Sequence, residues 1–197
     1  GTWKVTGAKN NDWEDMATIK DKTGKCSIFL GDIGNNGGEK SKFTVYKIAE
    51  PKVSEADKTS TKKKPGKTEN AQAIKFSYPN DIKPDSETLL VHPQTGEIYV
   101  LTKQMLGSSK VYKIGKKVEN VGSVSVPAIP NGFLTAGEIS PDGKRVVLVD
   151  YFAGYELTLP TNAKKFDEIW SQTPERIELG ERKQGEAVCY TADGRKI

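Results

Sequence analysis

The chain repeats one hairpin unit, in which a short acidic leader is followed by two strand-like runs joined by a tight turn. The turns of the four copies lie at residues 21–24, 93–96, 140–143 and 191–194. The leaders contain Glu14, Glu87, Glu138 and Glu186. Glu87 and Glu138 are 51 residues apart, and Glu138 and Glu186 are 48 residues apart. Short hairpins occur in any β protein, but a β-rich repeat of this length indicates the blades of a β-propeller.

We therefore predict an all-β fold, namely a β-propeller of four-stranded antiparallel blades that is a fragment of a five- or six-bladed propeller. The predicted blades lie near residues 12–78, 85–127 and 134–180, with partial blades at 1–8 and 185–197. Residues 1–197 then form a single domain. Both ends have the character of cuts through a repeating structure, so we expect the domain to be incomplete.

Two segments are expected to depart from the strand pattern. Residues 52–70 are rich in Lys, Thr, Ser and Glu and are predicted to form a solvated loop. Residues 162–172 are predicted to form a helix that begins at Asn162 as its N-cap. Its apolar face would consist of Phe166, Ile169 and Trp170.

The charge balance argues against nucleic acid as a partner. The net charge is +4, but the cations are mostly lysine, and only four arginines are present. Arginine reads phosphates and base edges bidentately, whereas lysine mainly solubilises a surface. No apolar run is long enough to span a membrane. We expect neither a nucleic acid partner nor a membrane span.

The chain offers few nitrogen or sulfur ligands. Cys26 and Cys189 lie in different repeats without metal-binding spacing. They are expected to be buried free thiols, although closure of a ring would allow a bond between them. His92 is the one histidine, and we expect it to pack within its turn rather than to act in catalysis. Covalent hydrolase chemistry is not indicated, because no Ser-His-Asp order is present.

The leaders of the repeat are rich in carboxylate side chains. The first strand of each propeller blade lines the central channel, so the leaders are expected to converge at one mouth. The predicted metal-binding carboxylates there are Asp12, Glu14, Asp15, Asp85, Glu87, Glu138 and Glu186. Gathered carboxylates raise one another's pKa values unless a cation compensates, and Ca²⁺ accepts several oxygen ligands in loose geometry. The alternative is that each glutamate accepts backbone N–H groups of the neighbouring blade and holds the ring closed.

Several motifs together resemble a family. The segments DWEDMA, FLGDIGNN, DSETLLVHPQTGEIYVLTK, ISPDGKRVVLVDY and QGEAV are similar to those of a group of bacterial secreted or periplasmic β-propeller proteins. Residues 85–103 are also similar to the opening of the β-propeller phytases, which have a proline and an aromatic residue where this chain has Thr88 and Leu90. That similarity implies calcium-side roles for Asp85 and Glu87 and a phosphate-side role for Lys103.

Two functions follow as expectations. One is a secreted or periplasmic, monomeric binding or scaffold protein that takes a small molecule or a protein at a Ca²⁺-containing mouth. The other is a Ca²⁺-dependent hydrolase of phosphate esters or lactones, in which a metal-bound water is the nucleophile. The sugar-lactone hydrolase propellers are a more distant comparison. Lys103, Asp32 and Asp150 end the second strands of their repeats and are candidate ligand-binding residues, and no catalytic residue is assigned.

Overall fold

The computed structural model of the protein describes residues 1–104, 108–127, 132–180 and 182–197. Within these ranges the chain forms three four-stranded antiparallel sheets and one two-stranded parallel pair. The prediction of an all-β fold built from four-stranded antiparallel units is therefore confirmed. None of the described helices is long and apolar enough to cross a membrane.

The strands follow one another in a simple order. They are β1 (Trp3–Thr6), β2 (Trp13–Lys20), β3 (Cys26–Asp32), β4 (Phe43–Ala49), β5 (Gly66–Asn70), β6 (Gln72–Phe76), β7 (Ser86–Val91), β8 (Ile98–Thr102), β9 (Ser108–Ile114), β10 (Val118–Ser125), β11 (Ala136–Ile139), β12 (Arg145–Val149), β13 (Gly154–Thr158) and β14 (Glu175–Ile177). Sheet I has the order β2-β3-β4-β6, sheet II the order β7-β8-β9-β10, and sheet III the order β11-β12-β13-β14. Each sheet is thus a meander of neighbouring strands.

The hairpin turns explain why the repeat is visible in the sequence. The last turn residue is a glycine in each of the four copies, and all four adopt a positive φ: Gly24, Gly96, Gly143 and Gly194. A side chain would strain the backbone there, because only glycine visits this region freely. The repeated glycine therefore reflects a repeated backbone conformation.

Sheet II lies between two apolar cores. All six residues of β7 are buried, so this strand is covered on both faces. Leu89 belongs to the core shared with sheet I, whereas Leu90 belongs to the core shared with sheet III. Alternate residues of a strand point to opposite faces, so adjacent leucines serve the two cores. The first strands β2, β7 and β11 accordingly lie side by side, with β7 in the middle.

The predicted helix at 162–172 is shorter than expected. The structure has a single 3-10 segment at Phe166–Ser171. Asn162 lies within a turn that is closed by the N–H of Ala163 and the carbonyl of Pro160. The carboxylate of Glu168 accepts the N–H groups of residues 164 and 165, so no helical turn forms before Phe166. The predicted apolar face is present, because Phe166, Ile169 and Trp170 are buried.

The prediction that 52–70 forms a solvated loop or a mobile flap is wrong in part, because the segment contains regular structure. It contains a 3-10 segment at Glu55–Thr59, and β5 pairs in parallel with β1. Strand β1, expected to belong to a partial blade, supplies the partner that orders β5. Residues 185–197 form no strand in the described part of the chain, but the N–H of Thr191 closes their turn on the carbonyl of Lys196.

We predict that Leu89→Ala lowers the free energy of unfolding by about 3 kcal/mol, because it leaves a cavity beside the strand that joins two cores. Leu89 is fully buried, whereas Ile82 is 42% exposed and provides a control. Ile82→Ala should change the stability by less than about 0.5 kcal/mol. Urea unfolding followed by circular dichroism measures both, and equal losses would contradict this packing.

Candidate functional site

Two of the predicted glutamates occupy β-bulges. The register of the β2–β3 pair shifts between Trp13 and Asp15, which places Glu14 in the bulge. The register of the β7–β8 pair shifts between Ser86 and Thr88, which places Glu87 in the bulge. A bulge inserts one residue and redirects its side chain, and bulges are frequent beside functional sites. Neighbouring first strands therefore present the two carboxylates from matching positions.

Glu14 is the most perturbed carboxyl group of this region. Its pKa rises from 4.5 to about 8 through burial, through the charges of Glu87, Asp12 and Asp85, and through a hydrogen bond with Asp12. Gly34 makes room for this crowding, because a Cβ atom there would overlap Glu14 Oε1 and the carboxyl group of Asp12. We call Asp12, Glu14, Asp85 and Glu87 the acidic cluster.

A lysine and two aromatic rings border the acidic cluster. Lys103 Nζ donates hydrogen bonds to Glu87 Oε1 and to the Tyr151 hydroxyl. The same ammonium group lies 5.5 Å from the ring centre of Phe133 and 5.4 Å from that of Tyr151. Burial raises the pKa of Glu87 despite the opposing effect of Lys103. Among the hydrogen bonds of the described residues, Lys103 is thus the cation bonded to the acidic cluster, and it bonds Glu87.

Asp85 joins the leader of sheet II to the loop that follows β3. Its Oδ1 accepts the backbone N–H of Asn35 at 2.6 Å. The Asn35 side-chain amide donates to the carbonyls of Lys40 and Lys83, which holds the loop in place. The N–H of Asn35 in this Gly-Asn-rich loop is thus directed at a carboxylate of the acidic cluster.

Glu138 does not share the position of Glu87. The backbone hydrogen bond that closes the hairpin of Glu138 starts at the N–H of Ser140, two residues after Glu138. The equivalent bond in the preceding hairpin starts at the N–H of His92, five residues after Glu87. The Glu138 carboxylate accepts the backbone N–H of Tyr190, and burial raises the pKa of Glu138. For Glu138 the geometry is that of the alternative role, in which a glutamate binds the backbone of the next segment.

Asp15 also binds backbone rather than facing the acidic cluster. Its Oδ2 accepts the N–H of Leu89, and its Oδ1 accepts that of Met16. Burial raises the pKa of Asp15 to about 7, while the N–H groups of Leu89, Met16 and Gly137 lower it. The carboxyl group is enclosed by β2, β7 and β11, although the residue as a whole keeps some exposed surface.

Glu186 lies at the margin of the acidic cluster. It is five residues before Thr191, the same spacing as that between Glu87 and His92. Its side chain is exposed and accepts a hydrogen bond from Gln184. Its negative charge is a minor cause of the raised pKa of Glu87, whose largest cause is burial.

Asp32 is buried and satisfied by internal contacts. Its Oδ1 accepts the backbone N–H of Asp12 at 2.9 Å and the ammonium group of Lys40 at 2.8 Å. Its Oδ2 accepts the side-chain amide of Asn11 at 2.7 Å. Asp32 therefore positions the leader that carries Asp12, which is a role that the sequence analysis did not assign.

Asp150, the other predicted ligand-binding aspartate, is fully buried. Its Oδ1 accepts the N–H groups of Phe152 and Ala153, and its Oδ2 accepts the Tyr155 hydroxyl. These bonds close the turn between β12 and β13. The burial of Asp150 is explained by this turn.

The histidine and the thiols lie away from the acidic cluster. His92 Nδ1 accepts the N–H groups of Gln94 and Thr95, and its ring packs edge-on against Phe166, so its predicted role in the turn is confirmed. Both cysteines are free, as expected. They are not buried, however, because Cys189 is exposed and Cys26 is half-buried.

The acidic cluster has the donor chemistry of a Ca²⁺ site but not its preformed geometry. Its side chains offer only carboxylate oxygens, which suit a hard cation. Among the described residues, however, no three acidic, histidine or cysteine side chains are arranged to hold one metal ion. Bonds to Lys103 and Asn35 already direct Glu87 and Asp85.

Comparison with known families finds no model that matches the chain, and comparison with curated proteins finds no match either. The resemblance to secreted propeller proteins and to phytases therefore stays a prediction. The function has to be inferred from the charges and contacts of the acidic cluster.

We predict that stability falls as the pH rises from 4.5 to about 8, because the folded state retains a proton on Glu14 that the unfolded chain has lost. Glu14→Gln removes this difference and should flatten the dependence. Asp15 contributes a slope of similar size between pH 3.8 and about pH 7, which the variant keeps. Urea unfolding without metal at several pH values measures the slopes, and identical slopes for both proteins would be the contradictory result.

We predict that Lys103→Met lowers the free energy of unfolding by about 3 kcal/mol, because it leaves the carboxylate of Glu87 buried without its cation. The two side chains are only 15% and 10% exposed. The double variant Lys103→Met/Glu87→Gln should recover part of this loss, since no unpaired charge remains. Urea unfolding at pH 7 compares them, and a double variant less stable than Lys103→Met would refute the pairing.

Proposed function

We propose that this chain is part of a β-propeller that acts as a binding module and takes a cation at the acidic cluster. Three features support the propeller arrangement. The sheets are meanders of the same order, their first strands lie side by side, and apolar cores separate consecutive sheets. In a propeller those first strands line the central channel, which would place the acidic cluster at one mouth.

The crowding around Glu14 is the observation that carries the cation proposal. Burial, together with the three further carboxyl groups of the cluster, raises the pKa of Glu14 to about 8, so near neutral pH the cluster retains a proton in place of a full set of charges. A cation that enters would replace that proton and stabilise the ionised form. Lys103 bonds to Glu87, and the Glu14–Asp12 pair has no comparable cation among its hydrogen-bond partners in the described ranges.

Ca²⁺ is the first candidate for that cation. It tolerates irregular coordination and accepts backbone carbonyls and water beside carboxylates, so small side-chain movements would complete a site. A cationic group of an organic or protein ligand is the other possibility within the same proposal. From the resemblance we further propose that the protein is monomeric and acts in the periplasm or outside the cell.

The hydrolase alternative depends on the same cation. In that alternative the nucleophile is a metal-bound water, so the cation would supply the activated water for attack on a phosphate ester or a lactone. Release of phosphate or opening of a lactone in the presence of Ca²⁺, abolished by Glu87→Gln, would favour the hydrolase over the binding module.

We predict that Ca²⁺ raises the melting temperature and that EDTA reverses the effect, because a cation that binds only the folded state stabilises it. The gain should reach about 2.7 kcal/mol at a hundredfold excess over the dissociation constant. Sodium chloride at equal ionic strength is the solvent control. Glu14→Gln should remove most of the shift, whereas Glu69→Gln, on an exposed part of β5, should retain it.

The measurement is differential scanning fluorimetry at pH 8, where Glu14 is about half ionised. A melting temperature that neither EDTA nor Ca²⁺ moves would exclude Ca²⁺ as the ligand. A shift of equal size in the Glu14→Gln variant would place the cation elsewhere.

A further inference from the structure

A groove runs along the outer edge of sheet II, away from the acidic cluster. Strand β10 is the last strand of that sheet and has a strand neighbour, β9, on one side only. Across the groove lies the 3-10 segment at Phe166–Ser171 with the residues that follow it. The groove encloses about 900 Å³, and its lining residues belong to the described part of the chain.

The lining residues show that the groove follows the strand edge. Those from β10 include the consecutive run 119–123. The register of β10 against β9 shifts between Asn120 and Gly122, and residues on both sides of this shift border the groove along the strand edge. The run through residue 125 is about 20 Å long in extended form, the length of an ordinary strand.

The backbone of β10 offers free hydrogen-bonding groups to this groove. Ser123 in β10 is paired with Lys110 in β9. The N–H of Lys110, however, points away from β10 and donates to Thr102 Oγ1 in β8. In an antiparallel pair, Ser123 must then also point away from β9, and so must Ser125 by alternation. No hydrogen bond of the described residues crosses from β10 to 165–174.

A contact between glycine and tryptophan forms the floor of the groove. Trp170 packs so closely on Gly122 that a Cβ atom at Gly122 would lie 2.7 Å from Trp170 Cβ. Trp170 is only 2% exposed. This close packing sets the distance between β10 and the 3-10 segment, which no hydrogen bond of the described residues joins.

The charge of the walls defines the kind of partner. Three acidic side chains, Glu119, Asp167 and Glu168, line the groove together with one lysine, Lys165. Asp167 is paired with Lys113, and the half-buried Glu168 accepts the N–H groups of residues 164 and 165 at the rim, whereas Glu119 is exposed. An extended segment with basic residues complements this lining better than an acidic or neutral one.

We propose that the edge of β10 binds an extended, basic peptide segment of a partner protein, which adds to sheet II as a fifth strand. Backbone hydrogen bonds to Ser123 and Ser125 supply the register, and the acidic rim selects lysine or arginine side chains. The proposal is independent of the acidic cluster and of its cation.

The probe is a labelled, capped peptide of alternating threonine and valine with lysine at each end, and its binding is followed by fluorescence anisotropy. Ser123→Pro removes the outward N–H without removing a bond to β9, which an edge strand tolerates. It should weaken binding about tenfold or more. Ser123→Ala keeps the backbone N–H and should bind as the unaltered protein does.

Two altered peptides complete the test. Methylation of alternate backbone nitrogens should abolish binding, and exchange of the lysines for glutamates should weaken it about tenfold. Binding that survives both Ser123→Pro and backbone methylation would overturn the proposal, as would failure of the unmodified peptide to bind. Light scattering measures the oligomeric state of the protein and tests for another occupant of the groove. If the unaltered protein is a dimer and the Ser123→Pro variant is a monomer, a second copy of this chain fills the groove instead of a partner peptide.

Discussion

One carboxylate touches the backbone of strands from three sheets. Asp15 lies in β2, accepts the N–H of Leu89 in β7, and is close enough to the N–H of Gly137 in β11 for that group to lower its pKa. Each N–H would otherwise be buried without a partner, which is costly in an apolar interior. The position of β7 between two cores, and with it the approach of Glu14 and Glu87, depends on this junction.

Much of the strand arrangement could be predicted because local chemistry determines it. Turn glycines such as Gly96 and Gly143 require a positive φ, and the short apolar runs beside them are typical of buried strands. The parallel pairing of β1 with β5 could not be predicted. It joins Thr6 to Asn70 across a long insertion, and lysine-rich composition carries no signal for such a distant partner.

The roles of the individual carboxylates were harder to predict than their presence. Glu138 is 51 residues after Glu87, but it lies closer to its turn and in a strand without a bulge, and its side chain binds the backbone of Tyr190. Glu14 and Glu87 occupy bulges, which depend on strand register rather than on a local motif. Asp32 holds the leader of Asp12 through a tertiary contact. Strand register, which the whole fold determines, therefore distinguishes the carboxylates that bind backbone from those of the acidic cluster.

The claim on which the function depends is that the first strands force carboxyl groups together. Carbon-13 NMR titration of the carboxyl groups in the folded protein, with EDTA present, measures this directly. Glu14 is expected to titrate near pH 8 and Asp15 near pH 7. If both groups titrate near their ordinary values of about 4, the carboxyl groups are neither crowded nor enclosed, and the acidic cluster has no need of a cation.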